Sequence, residues 1–234
     1  MKRQRSLLLS IALAALWGSV VVCAQSAREG DLGLGKLLVA SRDLSDPAFS
    51  ESVILLVRYD EDGTVGLMIN RRSGMTISRA LRDLNLGSDS TDPVYRGGPV
   101  EPVSVLALLR SRLQPEGATP VFGDVFLVST KDLLEKTLAK GAGPGEFRVY
   151  LGYCGWSRGQ LENEVRQGSW HIFNRSADLV FDSEPDSMWR RLIARVEQNI
   201  AERRRPPRVT RLTSRNPVMK VHVAPSLPSG ARSQ

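Results

Sequence analysis

The sequence predicts an α+β fold: a single domain in which a mixed, strongly curved, barrel-like β-sheet carries helices on its outside. Three observations lead there. Strand-like runs rich in Val, Ile and Leu outnumber the helix-periodic ones. Runs adjacent in sequence are separated by turn clusters, so they can pair antiparallel. No Pro-, Ser- or Gly-rich linker interrupts residues 34 to 200, which favours one domain over two.

Taken in order, Gly35–Ser41 and Ser52–Tyr59 read as strands. Asp60-Glu-Asp-Gly-Thr64 is a turn cluster, and Val65–Asn70 returns as the hairpin partner. Thr76 is placed to cap a short helix reaching Leu84, because Ile77, Ala80, Leu81 and Leu84 fall at helical spacing. Val103–Leu109 is continuously apolar and reads as a buried strand, followed by a strand over Asp124–Ser129. Thr130 then caps a helix over Lys131–Lys140, which Gly141 stops. Phe147 to Tyr153, Trp170–Phe173 and Leu179–Phe181 are further strand-like runs. A last helix begins near Pro185 and runs to about Glu202, burying Met188, Leu192, Val196 and Ile200.

One segment stands apart. Gly152-Tyr-Cys-Gly-Trp-Ser-Arg-Gly-Gln-Leu-Glu-Asn-Glu164 joins an apolar strand to an amphipathic helix through a Gly-Trp turn. Glycines at 152, 155 and 159 relieve the backbone where Trp156 must be accommodated. Gln160 and Glu164 lie four residues apart on one helix face, with Leu161 and Val165 on another. Such a unit forms either one wall of a crevice or a packing joint with no ligand.

That segment resembles the YqgE/AlgH family of bacterial proteins, and other blocks resemble it in the same order. They are Gly35-Lys-Leu-Leu-Val-Ala-Ser41, Asp46-Pro-Ala-Phe-Ser-Glu-Ser-Val-Ile-Leu-Leu56, Gly66-Leu-Met-Ile-Asn-Arg71, Tyr95-Arg-Gly-Gly-Pro-Val100 and the closing Leu179-Val-Phe-Asp with Met188-Trp-Arg-Arg. The likeness covers about Leu34 to Leu192. Members are often labelled transcriptional regulators, and the resemblance implies no established catalytic activity or ligand. Against the family pattern, Arg72 stands where proline is usual, Tyr59 and Arg110 where histidine is common, and Cys154 where a small residue is expected.

Charge separates the core from the two ends. The formal net charge is +7, yet residues 1–27 hold three basic side chains and no acidic ones, and residues 203–234 hold eight and none. The core, 28–202, keeps 21 basic residues against all 25 acidic ones and is mildly acidic. Residues 1–26 read as a signal peptide: Met1-Lys-Arg-Gln-Arg5 is a positive start, Leu7 to Val22 an apolar stretch, and Ala24 a cleavage point. That makes the protein periplasmic, with an uncleaved inner-membrane anchor as the alternative. Residues 203–234, with five prolines and no acids, read as a disordered basic tail suited to anionic surfaces.

Few chemistries fit the composition. After cleavage Cys154, His171 and His222 are the only thiol or imidazole groups, so neither a metal site nor a cofactor is expected. Cys154 with His171 is the one conventional nucleophile–base pair, and a cysteine at a strand end more often packs. Gly30-Asp-Leu-Gly-Leu-Gly-Lys36 imitates a phosphate loop, but a strand follows where a helix must start, and Leu37 replaces the Ser/Thr. Gly97-Gly98-Pro99 reads as a strand connector or an anion nest. No catalytic residue is assigned; the ligand-binding candidates are Asn70, Arg71, Gly97, Gly98, Trp156, Gln160 and Glu164, which would make a small polar crevice floored by an indole. The expected role is that of a non-enzymatic binding or regulatory protein acting through this crevice or a protein partner, on a small ligand or an envelope protein. The alternative is a hydrolase or transferase using polar groups near Asn70, Arg71 and Gln160. Direct DNA binding fits poorly with an exported, acidic core. Cytosolic transcriptional regulation would require that the leader be misread.

Overall fold

The computed structural model describes residues 31–82 and 89–204, with side chains to 202. The signal peptide, Leu84 and all of the predicted 203–234 tail beyond Arg204 lie outside the described residues; Arg203 and Arg204 belong to the last helix. Ten strands form one mixed sheet in the order β10-β1-β2-β3-β9-β6-β8-β7, with β5 joined to β9 and β4 to β5. Their ranges are β1 Leu37–Ala40, β2 Val53–Asp60, β3 Gly63–Met68, β4 Arg72–Thr76, β5 Pro93–Arg96, β6 Val100–Arg110, β7 Thr119–Phe122, β8 Val125–Val128, β9 Phe147–Trp156 and β10 Trp170–Phe173. The helices are α1 Ile77–Ala80, α2 Lys131–Ala139, α3 Gln160–Arg166, α4 Ala177–Val180 and α5 Pro185–Arg204. The fold is α+β, as the sequence predicts. The sheet stays open, running from β10 to β7, so the likeness to a barrel does not extend to closure.

The centre of the sheet is β9. One edge pairs antiparallel with β6, from Leu109↔Phe147 to Val105↔Leu151 and, past a bulge, at Val100↔Tyr153. The other edge is shared: β5 runs parallel to it at Tyr150 and Leu151, and β3 runs antiparallel at Cys154 to Trp156. Gly152, at φ +69, sits where the edge passes from β5 to β3. Gly97 and Gly98 cross at the same place. A Cβ on Gly97 would lie 2.1 Å from the Gly152 carbonyl oxygen, and one on Gly98 would lie 2.2 Å from the Tyr153 backbone. Close backbone approach therefore requires both glycines.

The core falls into two clusters. The larger joins β1, β2 and β3 to Leu161 and Val165 of α3 and to Met188, Trp189, Leu192 and Ile193 of α5. The smaller gathers Ile77, Val94, Phe126 and Phe147 with Leu133 and Leu134 of α2. α1 starts at a Thr76 cap whose side chain accepts from the Arg79 N–H, and Gly141 follows α2 at φ +70. Thr130 occupies the α2 N-cap position without making a side-chain cap bond.

Several expectations change. Leu179–Phe181 is not a strand: Ser176 caps a turn of helix there, accepting from the Leu179 N–H. Only Ala107, Leu108 and Leu109 of β6 are buried, and Val103 is 86% exposed, so the apolar run is buried at one end alone. Ile200 is 41% exposed, because α5 outruns the core beyond Ile193. β4, β5 and β7 carry too few alternating apolar residues to stand out in the sequence. Among the described residues no helix is long and apolar enough to cross a membrane.

Candidate functional site

The loop from Asp46 to Ser52 is where the family-like blocks meet. Asp46 starts it as a turn, its carboxylate accepting from Ala48 N–H at 2.8 Å and its carbonyl from Ser50 N–H at 2.9 Å. Near its end stands Glu51, whose φ of +55 is unusual for a residue with a Cβ. Asn70, at the end of the strand-like run after β3, holds this corner. Its Oδ1 accepts from Val53 N–H at 2.8 Å, and its Nδ2 donates to the Glu51 carbonyl at 3.0 Å. Arg71 donates to the Ser50 carbonyl beside it. The buried amide of Asn70 is thus consumed in fixing the loop, while Arg71 makes no other side-chain hydrogen bond among the described residues.

A cavity of about 180 Å³ opens against this corner. Asn70, Arg71 and Glu51 form one side. Arg72, with Asp186, Trp189 and Arg190 from the first turns of α5, forms the other. The Trp189 N–H donates to the Ala40 carbonyl at 2.8 Å and the Arg42 guanidinium lies 5.4 Å from the ring centre, so this buried indole gives the cavity no donor. Arg72 donates to the Ser183 carbonyl at 2.7 Å and lies 4.0 Å from Asp186. Arg190 makes no hydrogen bond or ion pair among the described residues.

Trp156, Gln160 and Glu164 form a different cluster. Glu164 Oε2 accepts from the indole N–H of Trp156 at 2.9 Å and of Trp170 at 2.8 Å, and Oε1 accepts from Gln160 at 3.0 Å. Gln160 in turn accepts from the Ser157 N–H and hydroxyl, tying α3 to the end of β9. Phe49 of the Asp46–Ser52 loop stacks on Trp156 at 6.2 Å and meets Trp170 edge-on at 6.0 Å. Here the polar atoms bind one another and the rings are buried, as in a packing joint. The loop therefore links the cluster to the cavity: Phe49 faces the indoles, and its backbone faces Asn70 and Arg71.

Gly97 and Gly98 belong to neither place. The Gly97 carbonyl accepts from the Met68 N–H at 2.8 Å and from the Cys154 thiol at 3.3 Å, and the Gly97 N–H donates to Leu151. With that donor spent inside the sheet, the pair serves the strand crossing. The seven candidates do not line one crevice: Asn70 and Arg71 reach the cavity, and the other five do not. Glu51, Arg72, Asp186, Trp189 and Arg190 join it without having been singled out. The run Trp189-Arg-Arg was the available signal, a core tryptophan followed at once by cations.

Conventional nucleophile chemistry finds little support. Cys154 is fully buried, and burial pushes its thiol well above the usual range. His171 sits on β10 opposite Val39, and burial lowers its imidazole below its ordinary value against the pull of Glu197. Among the described residues no group of three or more His, Cys, Asp or Glu side chains is placed to hold a metal. A second cavity, about 410 Å³, opens between the β2–β3 turn and the start of α3. Its walls include Asp60, Glu61, Arg158 and Glu162, and Tyr59 donates to Glu162 at 2.8 Å.

One buried cation escaped the sequence reading. Arg148 on β9 is 2% exposed and donates to the carbonyls of Pro144, Val180 and Asp182 at 2.9, 2.9 and 2.6 Å. Its guanidinium also lies 5.0 Å from the Tyr95 ring centre and 5.7 Å from that of Phe181. Burial would raise the neighbouring Asp182 carboxyl, but hydrogen bonds from Arg191 and the Glu184 N–H hold it below its ordinary value. Arg148 binds the α4 turn to the sheet and is structural. Arg110, at a position where the resemblance favours histidine, is likewise engaged, with Asp124 at 2.7 Å and Asp178 at 3.1 Å.

Comparisons with known proteins agree with this architecture. A UPF0301 protein of Sphingopyxis alaskensis is 38% identical over 163 residues, covering 68% of this chain and 87% of the relative. A UPF0301 protein of Xanthomonas campestris is 35% identical over 167 residues, covering 69% and 87%. The solution structure of the AlgH protein from Pseudomonas aeruginosa matches with a TM-score of 0.58 and 30% identity, covering 72% of this chain and 90% of that one. A crystal structure from Corynebacterium diphtheriae shares the fold at 21% identity and a TM-score of 0.56, covering 70% and 87%. The model of the AlgH-like family matches residues 37–201, from β1 into the end of α5, and the chain belongs to that family.

Proposed function

We propose that this AlgH-like protein is a non-enzymatic binding protein, exported to the periplasm, that takes a small polar ligand in the cavity beside Asn70 and Arg71. The observation that carries the binding reading is the composition of that cavity: three guanidinium groups and a tryptophan on a corner fixed by Asn70, with two carboxylates and neither a thiol nor an imidazole in the lining. Binding needs only shape and donors, and both are present. Export rests on the leader, whose positive start, apolar stretch and cleavage point stand in the right order.

Two measurements test the two parts. Fractionation with N-terminal sequencing should give a periplasmic chain beginning near Gln25 or Ala27; an intact cytosolic chain would overturn export and reopen gene regulation. Native mass spectrometry of the protein purified from the cells that make it should show a small bound species. Turnover of ester, amide or phosphoryl substrates at enzymatic rates would overturn the non-enzymatic reading.

A further inference from the structure

We infer that the ligand of this cavity is a small oxyanion, a carboxylate or phosphate group held by Arg71, Arg72 and Arg190; the inference rests on the cavity being a binding site. Three guanidinium groups face two carboxylates, Glu51 and Asp186, so the lining keeps a net positive charge. Neutralisation by those acids is weak. The Asp186 side chain is 68% exposed and reaches Arg72 only at 4.0 Å, where solvent screening leaves little attraction. Glu51 makes no ion pair among the described residues.

The cations are also poised differently from ordinary surface arginines. Arg71 and Arg72 each spend one nitrogen on a loop carbonyl, at Ser50 and Ser183, which fixes the planes of both guanidinium groups. Among the described residues their remaining N–H groups make no further hydrogen bond, Arg72 meeting Asp186 only at 4.0 Å, and Arg190 makes none. Planar groups with spare paired donors match the two oxygens of a carboxylate or phosphate. The cavity also lies at the N-terminal end of the 20-residue α5, where the helix dipole adds positive potential. Trp189, 5% exposed, contributes only its edge to the lining, and about 180 Å³ suits a molecule of a few heavy atoms.

The test is a two-dimensional NMR titration of the full chain, read at the Trp189 indole N–H and the backbone amides of Glu51 and Arg190. Site-resolved signals matter because the eight basic residues of 203–234 will attract any anion. Acetate and inorganic phosphate are the anionic probes, ethylammonium and glycerol the cationic and neutral ones. The expected result is saturable shifts with acetate, phosphate or both, and the stronger of the two names the source of the oxygens. Arg190→Ala, which breaks no hydrogen bond or ion pair among the described residues, should weaken that binding about fivefold or more. Glu51→Gln should strengthen it, and Arg195→Ala on the far part of α5 should leave it unchanged. Saturable shifts from ethylammonium or glycerol alone would overturn the oxyanion while leaving a binding cavity. Silence at all three signals with every probe would overturn both. Anion shifts equal in Arg190→Ala and the parent would place binding elsewhere and overturn the oxyanion site.

Discussion

Asn70 clasps the left-handed backbone of Glu51, donating from Nδ2 to its carbonyl at 3.0 Å while Oδ1 receives the Val53 N–H. One side-chain amide thereby fixes both the exit of the Asp46–Ser52 loop and the first residue of β2. Asn70→Ala leaves a buried donor and acceptor of the main chain unpaired, and should cost about 1–3 kcal/mol of stability. Urea denaturation measures it. A loss under about 0.5 kcal/mol would mean that water replaces the amide without cost.

Glu164 carries a heavier load, because it is the acceptor for two indoles at once. Glu164→Ala strands the N–H groups of Trp156 and Trp170, which are 5% and 1% exposed. The expected loss is about 2–4 kcal/mol, and Glu164→Gln, which keeps one acceptor, should lose less. An equal loss from both variants, by the same denaturation, would assign the effect to charge rather than to acceptor count.

Gly98→Ala should prevent folding or leave little native protein, because its Cβ would lie 2.2 Å from the Tyr153 backbone. Gly143 has open space around its Cβ position and an ordinary φ, so Gly143→Ala should leave stability nearly unchanged. Circular dichroism melts of both variants separate the two cases. A well-folded Gly98→Ala protein would contradict the strand crossing at Gly152.

His171 gives the fold an acid-sensitive side. Burial lowers its folded-state affinity for a proton below the ordinary value of 6.5, although Glu197 opposes the shift. Between that folded value and 6.5 the unfolded chain binds more protons, so stability is full above about pH 6.5 and falls as the pH drops through that window. Urea midpoints at pH 7.5 and 5.5 should differ more for the parent than for His171→Gln. Equal differences would show that His171 is solvated and that carboxylates alone set the acid response.

Strong periodicity made much of this fold legible in sequence. The runs Val53–Asp60 and Phe147–Trp156 are continuous enough in apolar and β-branched residues to declare themselves. The Leu179–Phe181 error had a local cause: three apolar residues suit a strand or a single helical turn equally, and the Ser176 cap settled it. The site was half legible. Asn70 and Arg71 were visible as polar residues ending an apolar run, but the α5 residues that face them lie more than a hundred positions away. Gly97 and Gly98 misled because tight backbone contact and anion binding demand the same residue, and only the strand crossing tells them apart.

The measurement that bears most directly on the binding claim is native mass spectrometry of the cell-derived protein beside its Arg190→Ala variant. A small bound species on the parent that is lost or much reduced in the variant, with both chains folded, is the predicted result. An identical spectrum from both, with no adduct or with one that Arg190 does not influence, would contradict a ligand in the cavity between Asn70 and α5.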